Sequence, residues 1–394
     1  MEPQQNVFQR LWHLWLREVH LLGQRPLLLV CIFFAPIGLL VFFPSLMKQG
    51  LPTDLPAGLV DDDNTSVSRQ LSRILDSMEE TDIRYHYANI SEAREAMQRG
   101  EIYGFFHVPK GTTARAIGQR QPRVAFYTNE AYFVAGSLLM RDLRTISELS
   151  GMAMSRETFL AQGMTPDQAM AAIRPLVIEA HPIGNSTLNY SVYLSNILVP
   201  GCILLLVMIF TPYSIGMEWK NNTQTDFYRM AGNSSTIALT GKLFPQTLLF
   251  TLMMMLTDVV FYKFLDYPCN CPIGMMMIVG ALTVLAAQGF GAFLFGLFQG
   301  QMRMAMCIGS LWGVVSFSIC GFSFPVMAMD PTLQVFAWLF PLRHYYLLYV
   351  NLALHGYPLL YVWPSLVAFA CFFMLPIAVL PLYRYAFKHA TYKP

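Results

Sequence analysis

Charge is scarce in this chain. Asp, Glu, Lys and Arg make up 13% of its 394 residues, where a soluble domain carries about a quarter. The shortage is uneven. Between residues 191 and 394 only 14 of 204 residues are charged, whereas residues 48–179 hold 17 acids and 14 bases. Two stretches suited to different solvents therefore share one chain. The net charge of +2 points to no acidic partner, and nucleic acid is not expected among the partners.

Other absences exclude chemistry. There is no G-x-x-x-x-G-K-[ST] loop: Gly241-Lys242 lacks the upstream glycine and is followed by Leu243. H-E-x-x-H, G-x-S-x-G and the dinucleotide fingerprint are missing too, and the histidines are scattered singly. A membrane enzyme is therefore disfavoured, and no catalytic residue or metal site is expected. The seven cysteines form no disulfide scaffold. Cys31, Cys202, Cys307, Cys320 and Cys371 lie inside apolar runs, where a thiol behaves as a small hydrophobe. Cys269 and Cys271 fall in a short Cys-Asn-Cys-Pro loop. A bridge across one residue is strained and two cysteines alone are poor zinc ligands, so a tight turn is expected. No cleavable signal peptide is expected either. The first apolar run starts at Pro26, after Arg10, Arg17 and Arg25, and lacks a small-residue cleavage site, which reads as a retained anchor.

Apolar length is what the chain has in abundance. A bilayer core needs about 20 apolar residues in a helix. Residues 26–47 meet this, as do 180–217 (apolar from about 192), 242–264 (broken by Asp258 and Lys263), 268–302, 304–324 and 361–383. Residues 331–357 are ambiguous, being interrupted by Pro341 and carrying Arg343 and His344. Counted as a span, this segment puts the two termini on opposite sides. With six spans, Arg10, Arg17, Arg25, Lys220, Arg229, Lys242, Arg303, Arg384, Lys388 and Lys393 share one side. Only Lys263 and Arg343 are basic among the short segments opposite. Ten against two is a positive-inside signal. The expected fold is thus a mostly α membrane protein with six transmembrane helices and both termini cytoplasmic. Its segment 325–360 is read as re-entrant or interfacial helices on the outer face, allowed where the backbone is buried in protein.

Two further elements complete this reading. Within residues 1–25, Phe8, Leu11, Trp12, Trp15, Leu16, Val19 and Leu22 recur at helical spacing, with Arg10, Arg17 and Glu18 off the stripe. That is an amphipathic helix suited to the membrane interface, and packing on its own protein is compatible with it. Residues 48–189 have a soluble composition. Strand signals at 57–60, 83–87, 102–108 and 123–127 alternate with helical signals at 65–78 and 91–98, and helices follow at 132–163 and 165–177. This order argues an inserted α/β domain outside the cytoplasm. The run Asp61-Asp62-Asp63-Asn64 reads as a helix cap and solvated turn rather than a metal site.

The cytoplasmic stretch 217–241 carries the most information. It has an acid at the membrane exit (Glu218), a polar turn, an amphipathic turn (Asp226, Phe227, Tyr228, Arg229, Met230), then Gly232 and a lead into the next span. With Thr223 or Thr225 and Gly241-Lys242-Leu243, it resembles the coupling loop of ATP-binding-cassette (ABC) exporter permeases of the type-2 class. Asn222 stands where that family usually has glycine, and Asp226 replaces its glutamate. Two more stretches join the resemblance in order along the chain. One is Gly104-Phe105-Phe106-His107-Val108-Pro109-Lys110-Gly111 after Arg99-Gly100-Glu101. The other is Cys320-Gly321-Phe322-Ser323-Phe324-Pro325-Val326 with Met329, Pro331 and Phe340-Pro341-Leu342.

The resemblance implies a permease half in a bacterial inner membrane, pairing with a second copy or a paralogue. Two separate ABC ATPase subunits would carry ATP and Mg, and this chain would bind no cofactor itself. The cargo would be hydrophobic or amphipathic, such as a drug, lipid or envelope component, moved out of the cytoplasm or inner leaflet. The outer domain would form a dimer vestibule or dock a periplasmic adaptor, with membrane lipids as further partners. For the coupling loop, Phe227, Tyr228 and Arg229 are expected as anchors in an ATPase groove, with Glu218 and Asp226 as polar contacts. Asn196, Asp258 and Gln288, with Gln299, are the candidates for a substrate path. Asp258 is an intramembrane charge, by default a functional-site hypothesis, although it and Lys263 lie near the outer end, where Lys263 can snorkel and Asp258 can face water. The alternative function is a non-transporting receptor or scaffold, which would have no need of a coupling loop.

Overall fold

Helices dominate, and proline and polar residues set where they start and stop. The computed structural model describes residues 6–24, 26–117, 120–174, 181–299 and 301–392. Arg25 and Lys393 of the basic set, and the end of the helical stretch read as 165–177, lie outside the described residues. The chain divides into two compact units, Leu51–His181 and the sequence on either side of it.

Helix α1 (Val7–Gly23) opens the larger unit. Its amphipathicity is turned outward. Phe8, Trp12, Leu16 and Val19 are 50–68% exposed while Leu14 and Glu18 are buried. The apolar stripe thus faces away from the protein, as an interfacial helix requires, and the polar face packs inward. A helical run follows from Pro26 to Leu46. Its main part, α2 (Val30–Leu46), begins with a π-helical turn.

The smaller unit holds a four-stranded sheet with order β2-β1-β3-β4. Strand β1 (Leu55–Asp61) precedes helix α3 (Ser66–Asp76), strand β2 (Thr81–Tyr87), helix α4 (Ile90–Gln98) and strand β3 (Gly104–Val108). Short helix α5 (Thr112–Ile117), strand β4 (Ala125–Thr128), and helices α6 (Phe133–Ala161) and α7 (Pro166–Ile173) follow. β1 is parallel to both β2 and β3, and β4 runs antiparallel to β3. Successive residues point to opposite faces of a strand, so Phe106 packs with Leu59, Leu75 and Leu139 while Phe105 packs with Val60, Ala93 and Ala96. The expected α/β order is observed. Its caps differ in detail: Thr65 caps α3, and Asn89 rather than Ser91 caps α4. The aspartate run is occupied locally. Asp61 accepts from Ser68 Oγ at 2.6 Å and Asn64 N at 2.9 Å, and Asp63 accepts from Gly111 N at 2.6 Å and Thr113 N at 2.9 Å. Thr113, through its side chain and its amide, holds the Asp63 carboxyl below the usual range.

The larger unit resumes with α8 (Tyr190–Lys220), α9 (Gln224–Met230), α10 (Ser235–Phe264), α11 (Ile273–Phe298) and α12 (Met302–Ile319). Two short helices follow, α13 (Pro331–Ala337) and α14 (Pro341–Leu348), and α15 (Leu359–His389) closes the unit. Among the described residues, α8, α10, α11, α12 and α15 are long and apolar enough to cross a membrane, and α2 is a shorter apolar helix. α8 lies at the centre, packed against α2, α10, α11 and α12. Close approaches rest on glycine. A Cβ at Gly289 of α11 would lie 2.4 Å from the Phe372 carbonyl oxygen of α15, and one at Gly313 of α12 would meet Leu205 of α8.

The segment with α13 and α14 dips into this bundle. Phe340 stacks on Trp312 at 4.7 Å, Trp312 Nε1 donates to the Leu339 carbonyl at 3.1 Å, and the His344 ring lies 6.0 Å from Phe372. At a 1.5 Å rise per residue, Trp312 sits about 10 Å inside the end of α12, and Phe372 sits about 14 Å past Trp363, where the α-helical part of α15 begins. The chain then returns to the end it left. Asn270, between α10 and α11, donates from its amide to Ala353 O and from its side chain to Leu354 O, both at 2.7 Å. Cys269 and Cys271 flank it as free thiols with sulfurs 3.8 Å apart.

Candidate coupling site

The opposite end of the bundle is built around α9. The end of α8 brings Glu218 and Trp219 to the bundle's edge, and the chain turns at Asn222 with φ of 57°. That left-handed conformation favours glycine, and asparagine is among the few other residues that tolerate it. The Asn222 departure from the coupling-loop pattern therefore leaves the turn intact. After α9, Gly232 and Asn233 adopt φ of 66° and 56°, and Ser234 caps α10. A Cβ at Gly232 would also meet the guanidinium of Arg10 in α1, which is the free end of a flexible side chain and yields by moving, so the positive φ is what favours glycine there.

Four charges meet behind this loop. Arg17 of α1 grips Glu218 with two parallel hydrogen bonds, Nη1 to Oε1 at 2.9 Å and Nη2 to Oε2 at 2.8 Å. It also donates to Glu18 at 2.7 Å. Lys242 of α10 reaches Glu218 at 2.5 Å and Glu18 at 2.7 Å. Thr223 Oγ1 adds a donor to Glu218 at 2.5 Å. The side chains of Glu18, Glu218 and Lys242 are only 4–5% exposed, and that of Arg17 is 23% exposed. The cluster is neutral overall, which is what allows four charges to be buried together. Burial opposes the Arg17 charge, but Glu218 and Glu18 outweigh it and raise its pKa above the ordinary value. Burial also pushes the Glu18 carboxyl up, with Lys242 pulling it back in part.

An aromatic stack locks the same loop. Phe227 lies under both cations, 5.0 Å from Arg17 Cζ and 5.4 Å from Lys242 Nζ, positions that favour cation–π attraction. Tyr228 stacks on Phe387 of α15 at 4.9 Å and 10°. Phe387 also meets Trp219, whose ring contacts Phe295 of α11. α9 is therefore tied directly to α1, α8, α10 and α15, and through Trp219 of α8 to α11.

The expectation of Phe227 and Tyr228 as outward anchors needs correction. They are 2% and 3% exposed, because the cations and Phe387 hold them inward. Glu218 is likewise buried in the charge cluster. The outward face of α9 consists of Thr225, Asp226, Arg229 and Met230, all exposed, with Arg229 3.8 Å from Asp226. Arg17 and Glu18 had been noted only as residues off an apolar stripe. Their signal was a pair of opposite charges on the polar face of α1, complementary to Glu218 and Lys242. No local spacing links residues 201 apart.

The family model described as ABC-2 family transporter protein matches residues 26–380. The chain belongs to that family. It is the membrane-embedded component of an ABC transporter, and components of this family partner with ABC ATPase subunits. No curated protein sequence matches the chain.

The permease does not bring the three substrate-path candidates together. Asn196 of α8 is fully buried, donates to Val192 O at 2.9 Å and accepts from Tyr262 Oη of α10 at 3.3 Å. Asp258 is one turn before Tyr262, so these two lie in one neighbourhood. Asp258 is 2% exposed and its Oδ2 has no hydrogen-bond partner, so it does not face water. Lys263 is exposed. Gln288 of α11 sits apart, accepting from Thr247 Oγ1 at 2.5 Å and donating to Leu243 O at 3.3 Å. Gln299 ends α11 in a left-handed turn.

Proposed function

We propose that this permease is the transmembrane half of an ATP-driven exporter and that α9 is its coupling helix. One observation carries the reading: a short helix whose inner face is bound to four other helices presents an exposed polar outer face. A push on Asp226, Arg229 and their neighbours is transmitted through Phe227, Tyr228 and the charge cluster, because buried, close-packed contacts yield little. Phe227, Tyr228 and Glu218 then act as positioning residues, and Thr225, Asp226, Arg229 and Met230 as the contacts to the ATPase groove.

In this reading α2 joins the five long helices as a sixth span. Both termini and α9 face the cytoplasm, α13 and α14 re-enter from the outer side, and the α/β unit lies outside. The cargo in this reading is hydrophobic or amphipathic. A second copy or paralogue completes the pathway, and the α/β unit is available to line a vestibule or meet a periplasmic adaptor. ATP and Mg belong to the ATPase subunits. The test is purification from the native host in mild detergent. An ABC ATPase is expected to co-purify, and the charge reversals Asp226→Arg and Arg229→Glu should release it or abolish transport-linked ATP hydrolysis without unfolding the permease. A preparation with other membrane complexes intact and no ATPase on this chain would refute the proposal.

A further inference from the structure

A groove of about 450 Å³ runs between α1, α2 and α10. Trp15, Val19 and Gly23 of α1 form one wall, Phe33 of α2 the second, and Phe244 and Leu248 of α10 the third. Among the described residues, no charged side chain lines it. Its rim is open: Val19 is 56% exposed, Leu248 60% and Phe244 46%. Trp15 stacks on Phe244 at 4.3 Å and 21°, closing one side. We propose that this groove holds one acyl chain of a membrane phospholipid.

Four features point to that occupant rather than to a protein segment. First, α1 turns its apolar stripe outward and its charged face inward, so the groove opens toward whatever apolar medium surrounds the bundle. In a multi-pass membrane protein that medium is lipid. Second, the α10 wall of the groove runs from Phe244 to Leu249, five residues and about 8 Å along the bundle at the helical rise. That is the path of a chain descending from a headgroup. Third, tryptophans stand at the shallow end, the residues that favour the interface between headgroup and hydrocarbon. Fourth, Gly23 lines the groove, is exposed, and has open space where a side chain would stand. The bound chain supports α1 on the side opposite the Arg17–Glu18–Glu218–Lys242 cluster, so the helix is held from both faces.

The test needs neither cargo nor ATPase turnover, so its outcome is separate from that of the coupling proposal. The intact complex in detergent is titrated with phosphatidylglycerol carrying dibrominated acyl chains, which quench tryptophan on contact. A saturable loss of emission is expected, complete at one lipid per chain. The saturable part should vanish in Gly23→Phe, which places a ring on a residue lining the groove, and in the Trp12→Phe/Trp15→Phe double variant, which removes the groove's reporters, while exposed Trp338 and Trp363 leave a non-saturating background. Gly23→Ala should retain it. If Gly23→Phe does not assemble, Val19→Phe, at an exposed position on the α1 wall, serves as the filling variant because it adds no tryptophan. Quenching that rises linearly without saturation, or that saturates equally in the filled variants, overturns the site.

Discussion

Replacing Lys242 by methionine tests the charge cluster most directly. The substitution keeps length and apolar packing but leaves Glu18 and Glu218 to share Arg17, giving a buried site with one uncompensated negative charge. Lys242 Nζ lies 2.7 Å from Glu18 and 2.5 Å from Glu218. At an effective dielectric of about 20 each contact corresponds to about 6 kcal/mol of attraction. Most of it is offset by desolvation, which costs several kcal/mol per ion. What remains is the cost of breaking a buried pair on one side, about 3–5 kcal/mol. Because α1 contributes Arg17 and Glu18 while the bundle contributes Glu218 and Lys242, this loss falls on the docking of α1. Amide hydrogen exchange across Val7–Gly23 reads it. Opening of α1 should rise at least 100-fold, since each 1.4 kcal/mol is tenfold. The double variant Glu18→Gln/Lys242→Met restores neutrality around the Arg17–Glu218 fork and should recover most of the protection. Unchanged exchange in the single variant, or a double variant as open as the single, would refute the argument.

Three further outcomes follow from the same geometry. Asn222→Gly should leave thermal stability of the purified permease nearly unchanged, whereas Asn222→Val should lower it by about 1–2 kcal/mol because a β-branched residue resists a positive φ. Gly289→Ala should lower the thermal midpoint measured by fluorescence-detected size exclusion, since its methyl meets the Phe372 backbone and overpacking costs about 1–3 kcal/mol. Burial pushes the Cys271 thiol up to about 12. A raised pKa keeps the thiol protonated at neutral pH, so site-resolved iodoacetamide labelling of Cys271 should be slow at pH 8 and climb steadily with pH. Fast labelling at pH 7 would contradict that environment.

Much of the architecture was legible because burial in lipid imposes length and polarity rules that need no partner. The apolar runs located six helical stretches, and Pro341 with Arg343 marked a segment that dips and returns. The boundaries were less legible. The helix read as beginning near Lys242 starts at Ser235, since Ser234 caps it and polar residues continue it. That extra length places Lys242 inside a helix and aims it at Glu218. The coupling loop could be found but not oriented. Phe227 and Tyr228 read as apolar anchors in a short amphipathic turn, and the sequence alone could not say which side of that turn was covered. Phe387, Arg17 and Lys242 decide it, and they come from three distant parts of the chain. Asp258 and Lys263, five residues apart on one helix, likewise separate into a buried carboxylate and an exposed amine only once neighbouring helices are in place.

The Arg17–Glu218 pair also carries a consequence for how the chain is made. Its members are 201 residues apart, so at about 5–20 residues per second the ribosome delivers Glu218 roughly 10–40 s after Arg17. During that interval α1 has an apolar side ready for the membrane surface and a charged side that only water can satisfy. Lying flat on the newly entered bilayer meets both demands. In the finished protein α1 still turns its apolar side outward, with Glu218, Lys242 and α9 arriving later to replace the water above its charges. α1 can therefore wait in place, and the later partners of its polar face complete the assembly without turning it over.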